Sequence, residues 1–191
     1  MEHIDWEVQY LSLPAIRRHC QKCGGPSRFV CSGNFRVNAQ RKSLDIWLIY
    51  RCACCHTTYN MDVYSRVRPD SIPPSELARF LQNDEQLAWR YATDNSVLQK
   101  NGVVLDTVDY RIQGLLPTPQ MGKIQLQLHS RYALPVRVGT VLRKKMEFSA
   151  DELKILVESG RIWMDGSDRR WIRRKLFHGC TLYMQLPPKE Y

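Results

Sequence analysis

The sequence predicts an α+β protein in three parts: an N-terminal three-stranded sheet carrying cysteines, central short helices with strands, and a C-terminal module of two helices and a small β-hairpin. Paired cysteines, alternating polar and apolar runs, and apolar residues at helical spacing support this prediction. The 191 residues, 43% of them hydrophobic, are enough for one medium domain or two to three small ones. We place the boundaries at residues 1–70, 71–130 and 131–191, for the cysteine-bearing domain, the central connecting segment and a basic module.

Four cysteines form two pairs with the same three-residue step, Cys20/Cys23 and Cys52/Cys55. A Cys-x-x-Cys turn directs two thiolates toward one point about 2.3 Å from a soft dication, and two such turns complete a tetrahedron around Zn²⁺. Four thiolates leave no ligand position for water. We therefore expect one structural Zn²⁺ that stabilises the fold and activates no nucleophile.

The cysteine spacing leaves alternatives open. Cys54 lies beside Cys55 and offers a Cys52/Cys54 pairing, while His19 and His56 flank the pairs as substitute ligands. Disulfides and a thiol-redox pair are further interpretations, and iron also occupies four-thiolate sites.

The residues between and after the cysteine pairs have strand character. Residues 28–38 and 44–51 form two such runs joined by the polar residues 39–43, and residues 58–63 alternate between polar and apolar side chains. A three-stranded sheet with four cysteines at one end resembles a zinc ribbon.

The central segment predicts short helices followed by strands. Tandem prolines mark a helix start near Ser75, and a second helical stretch runs from Asp84 toward a stop at Asn101-Gly102. Strands are expected at residues 103–105, 110–113 and 123–129. No catalytic constellation is visible in this segment, so we do not expect an enzyme.

The C-terminal residues predict two helices and a basic surface. Val138, Val141 and Leu142 fall on one face of the first helix, and Ser149 and Glu152 fit a capping box that starts the second, which Gly160 ends. The basic residues opposite the apolar face of the first helix are Arg137, Arg143, Lys144 and Lys145. A later basic run, which precedes the last strand, consists of Arg169, Arg170, Arg173, Arg174 and Lys175.

The C-terminal region has two short predicted helices, then Ser-Gly-Arg-Ile-x-x-Asp-Gly at residues 159–166, and then a glycine before a closing strand. In this order of elements it resembles the alpha-L RNA-binding motif. A small-subunit ribosomal protein, bacterial tyrosyl-tRNA synthetases, pseudouridine synthases and a heat-shock RNA-binding protein share this motif, which presents a basic face to structured RNA. The resemblance implies that Arg137 opens the first helix, Ser149 caps the second, and Lys154 and Arg161 occupy basic positions. The whole chain also resembles uncharacterised bacterial families classed as domains of unknown function.

The charge distribution favours a polyanionic partner. The net charge is +9; residues 1–15 carry −3, residues 16–60 carry +7, residues 61–129 carry −1 and residues 130–191 carry +6. Two basic parts around a neutral middle are expected where both approach a polyanion. We therefore expect a non-enzymatic adaptor that binds structured RNA; the alternatives are docking on an acidic protein partner and, third, a thiol or zinc enzyme.

The sequence also indicates a cellular location. No apolar run approaches twenty residues, and the N-terminus is acidic where a signal peptide is basic and then apolar. An odd number of cysteines, seven, suits a reducing compartment. We expect a soluble cytoplasmic protein that does not bind membranes.

Overall fold

The computed structural model describes residues 1–40, 42–133, 135–166, 169–176 and 179–188. Strands and helices are numbered here along these described ranges. The strands are β1 Glu2–Tyr10, β2 Ile16–Cys20, β3 Gly25–Gln40, β4 Ser43–Cys52, β5 Thr58–Val67, β6 Val104–Leu105, β7 Tyr110–Gln113, β8 Lys123–His129, β9 Ile162–Trp163 and β10 Cys180–Gln185. The α-helices are α1 Pro74–Leu81, α2 Glu85–Thr93, α3 Asn95–Lys100, α4 Val138–Met146 and α5 Ala150–Glu158.

The chain divides into two units. The cysteine unit is Tyr10–Asp109, and the terminal unit combines Met1–Gln9 with Tyr110–Tyr191. The predicted boundaries at residues 70 and 130 do not coincide with these units. The prolines near residue 73 start a helix that packs on the cysteine unit's own sheet, and the N-terminal strand pairs with residues far along the chain.

The cysteine unit contains an antiparallel sheet in the order β5-β4-β3-β2-β6. The three strands predicted between and after the cysteine pairs correspond to β3, β4 and β5, and the strand expected at residues 103–105 corresponds to β6, which the sequence does not assign to this sheet. β2 and β6 extend the sheet at one edge, where Ile16 pairs with both Phe29 and Leu105. One face of the sheet is buried. Alternate residues along each strand point to this face, and among them Phe29, Leu48 and Met61 belong to a single apolar core.

The helices of the cysteine unit cover this buried face. α1 and α2 contact β3, and Phe80 and Leu87 belong to the same core as the strands. The second helix begins beside Asp84 as the sequence predicts, and Asp84 caps it by accepting a hydrogen bond from the Leu87 amide. The predicted second helix is divided in two at Asp94, whose side chain accepts hydrogen bonds from the backbone amides that open α3.

The terminal unit contains a mixed sheet in the order β7-β1-β8-β10-β9. β1 runs parallel to β8, in a register that pairs Glu2 with Ile124 and Glu7 with His129. β10 pairs antiparallel with both β8 and β9. The expected small C-terminal β-hairpin is therefore part of a larger sheet, since β10 pairs with β8 on its other side.

Two helices, α4 and α5, and two 3₁₀ turns, Pro119–Met121 and Arg169–Arg173, complete the described part of the terminal unit. The capping box at the start of α5 is present: Ser149 Oγ accepts from the Glu152 amide, and the Glu152 carboxylate accepts from the Ser149 amide. The basic run begins as a 3₁₀ turn, Arg169–Arg173, which contacts α4 and buries Trp171. In the described ranges, every helix is too short or too polar to cross a membrane.

Candidate metal centre

The four paired cysteines meet at one end of the cysteine unit's sheet. Cys20 and Cys52 end β2 and β4, and Cys23 and Cys55 lie in the turns that follow. The four Sγ atoms all lie within 4.8 Å of one another. Two distances are shorter: 3.5 Å from Cys20 to Cys55 and 3.8 Å from Cys23 to Cys52. Each of these pairs joins one turn to the other, so both turns are needed to form the cluster.

The structure bears on two of the alternatives that the spacing leaves open, the substitute ligands and the disulfides. Cys54 is exposed and is not a member of the cluster, and neither His19 nor His56 belongs to it. All seven cysteines, each in a described range, are free thiols. The sulfur distances of 3.5 Å and 3.8 Å exceed the disulfide length of about 2.05 Å, so the disulfide interpretation does not fit.

Hydrogen bonds distribute charge unevenly over the four thiols. Cys55 Sγ lies 3.2 Å from Thr57 Oγ1, and hydrogen bonds with the side chain and backbone of Thr57 lower the pKa of Cys55 to about 6. The backbone amide of Cys55 lowers the pKa of Cys52. The pKa of Cys23 is raised, chiefly by its hydrogen bond with Cys55. The thiolate form is therefore favoured at Cys52 and Cys55, the cysteines of the second turn. The four sulfurs converge on one point and could hold a metal ion.

Several predicted RNA-binding residues make structural contacts within the terminal unit. Lys144 Nζ donates to the Tyr110 carbonyl at 2.9 Å and lies over the Tyr110 ring, and Lys145 Nζ donates to the Ile112 carbonyl at 3.1 Å. These two lysines attach α4 to β7. Arg143 Nε donates to the Phe148 carbonyl at 3.3 Å, just beyond the end of the same helix.

The remaining basic candidates lie near the helix ends and the 3₁₀ turn. Arg137 is the residue before α4 and forms a β-bridge with Lys175. Arg174 Nη1 donates to the Met164 sulfur at 3.5 Å, and Lys154 lies 4.0 Å from Glu158 on α5. The exposed candidates are Arg137, Arg143, Lys144, Ser149, Lys154, Arg161, Arg169, Arg170, Arg173, Arg174 and Lys175.

The terminal unit also has an apolar cavity of about 570 Å³. Its lining includes Leu116, Phe148, Ile155 and Leu156. Among its charged residues, Glu152 completes the capping box of α5 and Lys145 is bonded to a backbone carbonyl. These two charged side chains therefore stabilise the fold around the cavity.

A cluster of charged side chains that the sequence does not single out lies in the cysteine unit. Asp106 has a side chain only 4% exposed and forms ion pairs with Arg17 on β2 and Arg28 on β3. Arg17 and Asp106 are 89 residues apart in sequence. The alternation of exposed and buried residues on β2 and β3 could have placed Arg17 and Arg28 on the exposed face of the sheet. Their shared carboxylate, Asp106, lies in a loop that no local sequence pattern identifies.

Neither a curated protein nor a solved structure matches this chain. A protein family does match, and its description is protein of unknown function, DUF1062. The matched range, residues 37–168, contains Cys52 and Cys55 and begins after Cys20 and Cys23. Because that range is more than half of the chain, this protein belongs to the DUF1062 family.

Proposed function

We propose that the protein is a non-enzymatic adaptor that binds structured RNA and whose cysteine unit is stabilised by one Zn²⁺ held by Cys20, Cys23, Cys52 and Cys55. The sulfur geometry supports zinc. Tetrahedral ligands at about 2.3 Å from zinc lie about 3.8 Å from one another, and the two closest sulfur pairs are 3.5 Å and 3.8 Å apart.

The donor set favours a structural role for the metal. Four thiolates fill a tetrahedral shell and leave no position for water or substrate, whereas catalytic zinc sites keep one position open. The ion would join two turns at the end of the sheet. Its binding free energy would then contribute to the folding of the cysteine unit.

The observation that carries the RNA proposal is the exposed arginine turn of the terminal unit. The 3₁₀ turn is anchored by Trp171, only 2% exposed, while Arg169 and Arg173 on the same turn are exposed. A fixed backbone that presents planar guanidinium groups to solvent suits contact with phosphates. The resemblance of this region to the alpha-L motif supports structured RNA as the partner.

The experiment combines metal analysis with RNA binding. We expect one zinc ion per chain in a colourless solution. The 260/280 nm absorbance ratio of the purified protein should fall after a high-salt wash that removes bound RNA. RNA affinity should fall about a hundredfold between about 50 and about 200 mM salt if four phosphates are contacted. Affinity that stays flat over this salt range would contradict the proposal.

A matched pair of variants tests the surface itself. Arg169→Glu/Arg173→Glu should weaken RNA binding strongly, whereas Arg66→Glu/Lys100→Glu makes the same charge change on exposed residues of the cysteine unit. Equal losses in both double variants would indicate a non-specific charge effect. Zinc without any RNA binding would favour the alternative, docking on an acidic protein partner.

A further inference from the structure

The pairing of β2 with β3 in the cysteine unit's sheet brings two arginines together. Arg17 and Arg28 are direct partners across the antiparallel pair of β2 and β3. Like charges directly opposite each other destabilise a sheet. This arrangement therefore needs a compensating group.

Asp106 supplies that compensation. Its Oδ1 accepts from Arg17 Nε at 2.8 Å, and its Oδ2 lies 3.4 Å from Arg28 Nε. Its backbone amide donates to the Ala15 carbonyl at 2.9 Å, which fixes the loop beside β2. Burial alone would raise the pKa of Asp106, but the hydrogen bonds from Arg17 and from the Thr107 backbone amide, together with the charges of Arg17 and Arg28, outweigh burial and lower it. The carboxylate is therefore ionised at neutral pH.

The contacts with Asp106 leave the outer ends of both guanidinium groups unused. Both arginines face the carboxylate through Nε, and in the described chain their terminal Nη atoms donate no hydrogen bond. The side chains of Arg17 and Arg28 are 61% and 49% exposed. Two guanidinium groups share one carboxylate, so one positive charge remains uncompensated.

A third arginine lies on the same face. Arg51 on β4 is exposed and pairs with Val30, two residues from Arg28 on β3, so the strand alternation places both arginines on one side of the sheet. Arg18, in contrast, points to the other side, where its guanidinium lies 3.4 Å from the centre of the Tyr59 ring. Strand alternation therefore places Arg18 on one face of the sheet, where it packs on Tyr59, and the exposed Arg17, Arg28 and Arg51 on the other.

We infer that Arg17 and Arg28, oriented by Asp106 and assisted by Arg51, form a binding site for a phosphate group. Guanidinium forks pair with phosphate oxygens through two parallel hydrogen bonds, which an ammonium group cannot do. Because Asp106 already orders both side chains, binding costs less side-chain entropy than at freely rotating arginines. The site lies in the cysteine unit, so it is additional to the arginine turn of the terminal unit.

The test uses the full-length protein as purified and inorganic phosphate as the probe, at constant ionic strength. Phosphate should shift the NMR signals of the Arg17 and Arg28 Nε–H groups. Arg17→Lys and Arg28→Lys keep the charge beside Asp106 and should each weaken phosphate binding about tenfold, because the fork is lost. Arg66→Lys, an exposed arginine of the same unit, should change nothing.

Two RNAs of one sequence, with a 5′-phosphate or a 5′-hydroxyl, identify the source of the phosphate. Equal weakening of both RNAs by Arg17→Lys indicates backbone phosphodiesters, and weakening of the phosphorylated RNA alone indicates a terminal phosphate. Phosphate binding with no effect on either RNA indicates a small phosphorylated ligand. The inference is overturned if phosphate moves neither Nε–H signal, or if the lysine variants bind phosphate as well as the unaltered protein.

The phosphate site and the proposed RNA function can fail separately. Absence of any RNA binding would overturn the adaptor proposal while phosphate titration still tests the arginine pair. Conversely, RNA binding that depends on Arg169 and Arg173, with no response to inorganic phosphate at Arg17 or Arg28, would overturn this site alone.

Discussion

Gly24 and His56 occupy equivalent positions in the two cysteine turns. Both have a left-handed backbone, with φ of 76° at Gly24 and 61° at His56. The Gly24 amide donates to the Cys20 carbonyl at 2.9 Å, and the His56 amide donates to the Cys52 carbonyl at 3.0 Å. The two turns therefore share one backbone geometry, although only the first has the glycine that this geometry favours.

This equivalence predicts that His56→Gly stabilises the protein. A residue with a Cβ in the left-handed region costs about 1 kcal/mol or more, and glycine removes that cost. We expect the free energy of unfolding to rise by about 1 kcal/mol in urea denaturation of the metal-bound protein. His56→Ala is the control, because it removes the imidazole but keeps the Cβ. Equal effects of Gly and Ala would show that the ring, and not the backbone, is responsible.

Adjacent cysteines give a matched test of the metal ligands. Cys55→Ser should abolish stoichiometric zinc binding and lower the unfolding temperature, because three thiolates and a hydroxyl bind zinc far more weakly than four thiolates. Cys54→Ser should retain one zinc per chain, since Cys54 is exposed and outside the cluster. Metal content after dialysis against a weak chelator is the measurement. Loss of zinc in the Cys54 variant would show that the ligand set differs from the one proposed.

Local patterns predict many elements of the fold. The alternation at residues 58–63 corresponds to β5, and the capping box at Ser149 and Glu152 is present as expected. The four cysteines of the cluster are those with the regular three-residue step. Alternation, capping and Cys-x-x-Cys turns all depend on residues close in sequence, which is why one chain reveals them.

Long-range pairing is what the sequence does not reveal. Glu2 pairs with Ile124 in a parallel register, and Trp6 Nε1 donates to the Leu115 carbonyl 109 residues away, at 2.7 Å. Nothing in the first ten residues specifies that partner strand. Likewise, the spacing of basic residues along α4 does not reveal that Lys144 is hydrogen-bonded to the Tyr110 carbonyl rather than available to a ligand.

Zinc uptake should depend on pH through Cys55. Its lowered pKa of about 6 means that the thiolate is present above pH 6 and is protonated as the pH falls through that value. Because the pKa of Cys23 is raised, its proton already competes with zinc at neutral pH. Below about pH 6 the Cys55 proton is added, so apparent zinc affinity should fall more steeply as the pH decreases. Calorimetric titration in buffers of different ionisation enthalpy measures both the affinity and the protons released.

Thr57→Val tests the cause of that low pKa. The Thr57 hydroxyl is the largest influence that lowers the pKa of Cys55, and valine removes it while keeping the Thr57 backbone amide, so the steeper fall in zinc affinity should begin at a higher pH. Thr58→Val is the control, since Thr58 is also exposed but is not among the groups that shift this pKa. An unchanged pH profile in Thr57→Val would show that the Thr57 backbone amide, and not its hydroxyl, sets the thiolate charge.

The arginine turn of the terminal unit depends on a close approach at Gly139. A Cβ at this position would lie 2.9 Å from the Ile172 carbonyl oxygen and 3.2 Å from the Ile172 Cβ. Alanine normally stabilises a helix by about 1 kcal/mol relative to glycine. Here the clash should prevail, because the backbone of the 3₁₀ turn must move, and overpacking of this kind costs about 1–3 kcal/mol.

We therefore expect Gly139→Ala to lower the free energy of unfolding and to weaken RNA binding by displacing Arg169 and Arg173. Thr140→Ala, at the next and exposed position of α4, should leave both nearly unchanged. Urea denaturation and RNA titration measure the two effects on the same samples. Reduced stability with full RNA affinity would mean that the position of the turn on α4 is not what presents the arginines to RNA.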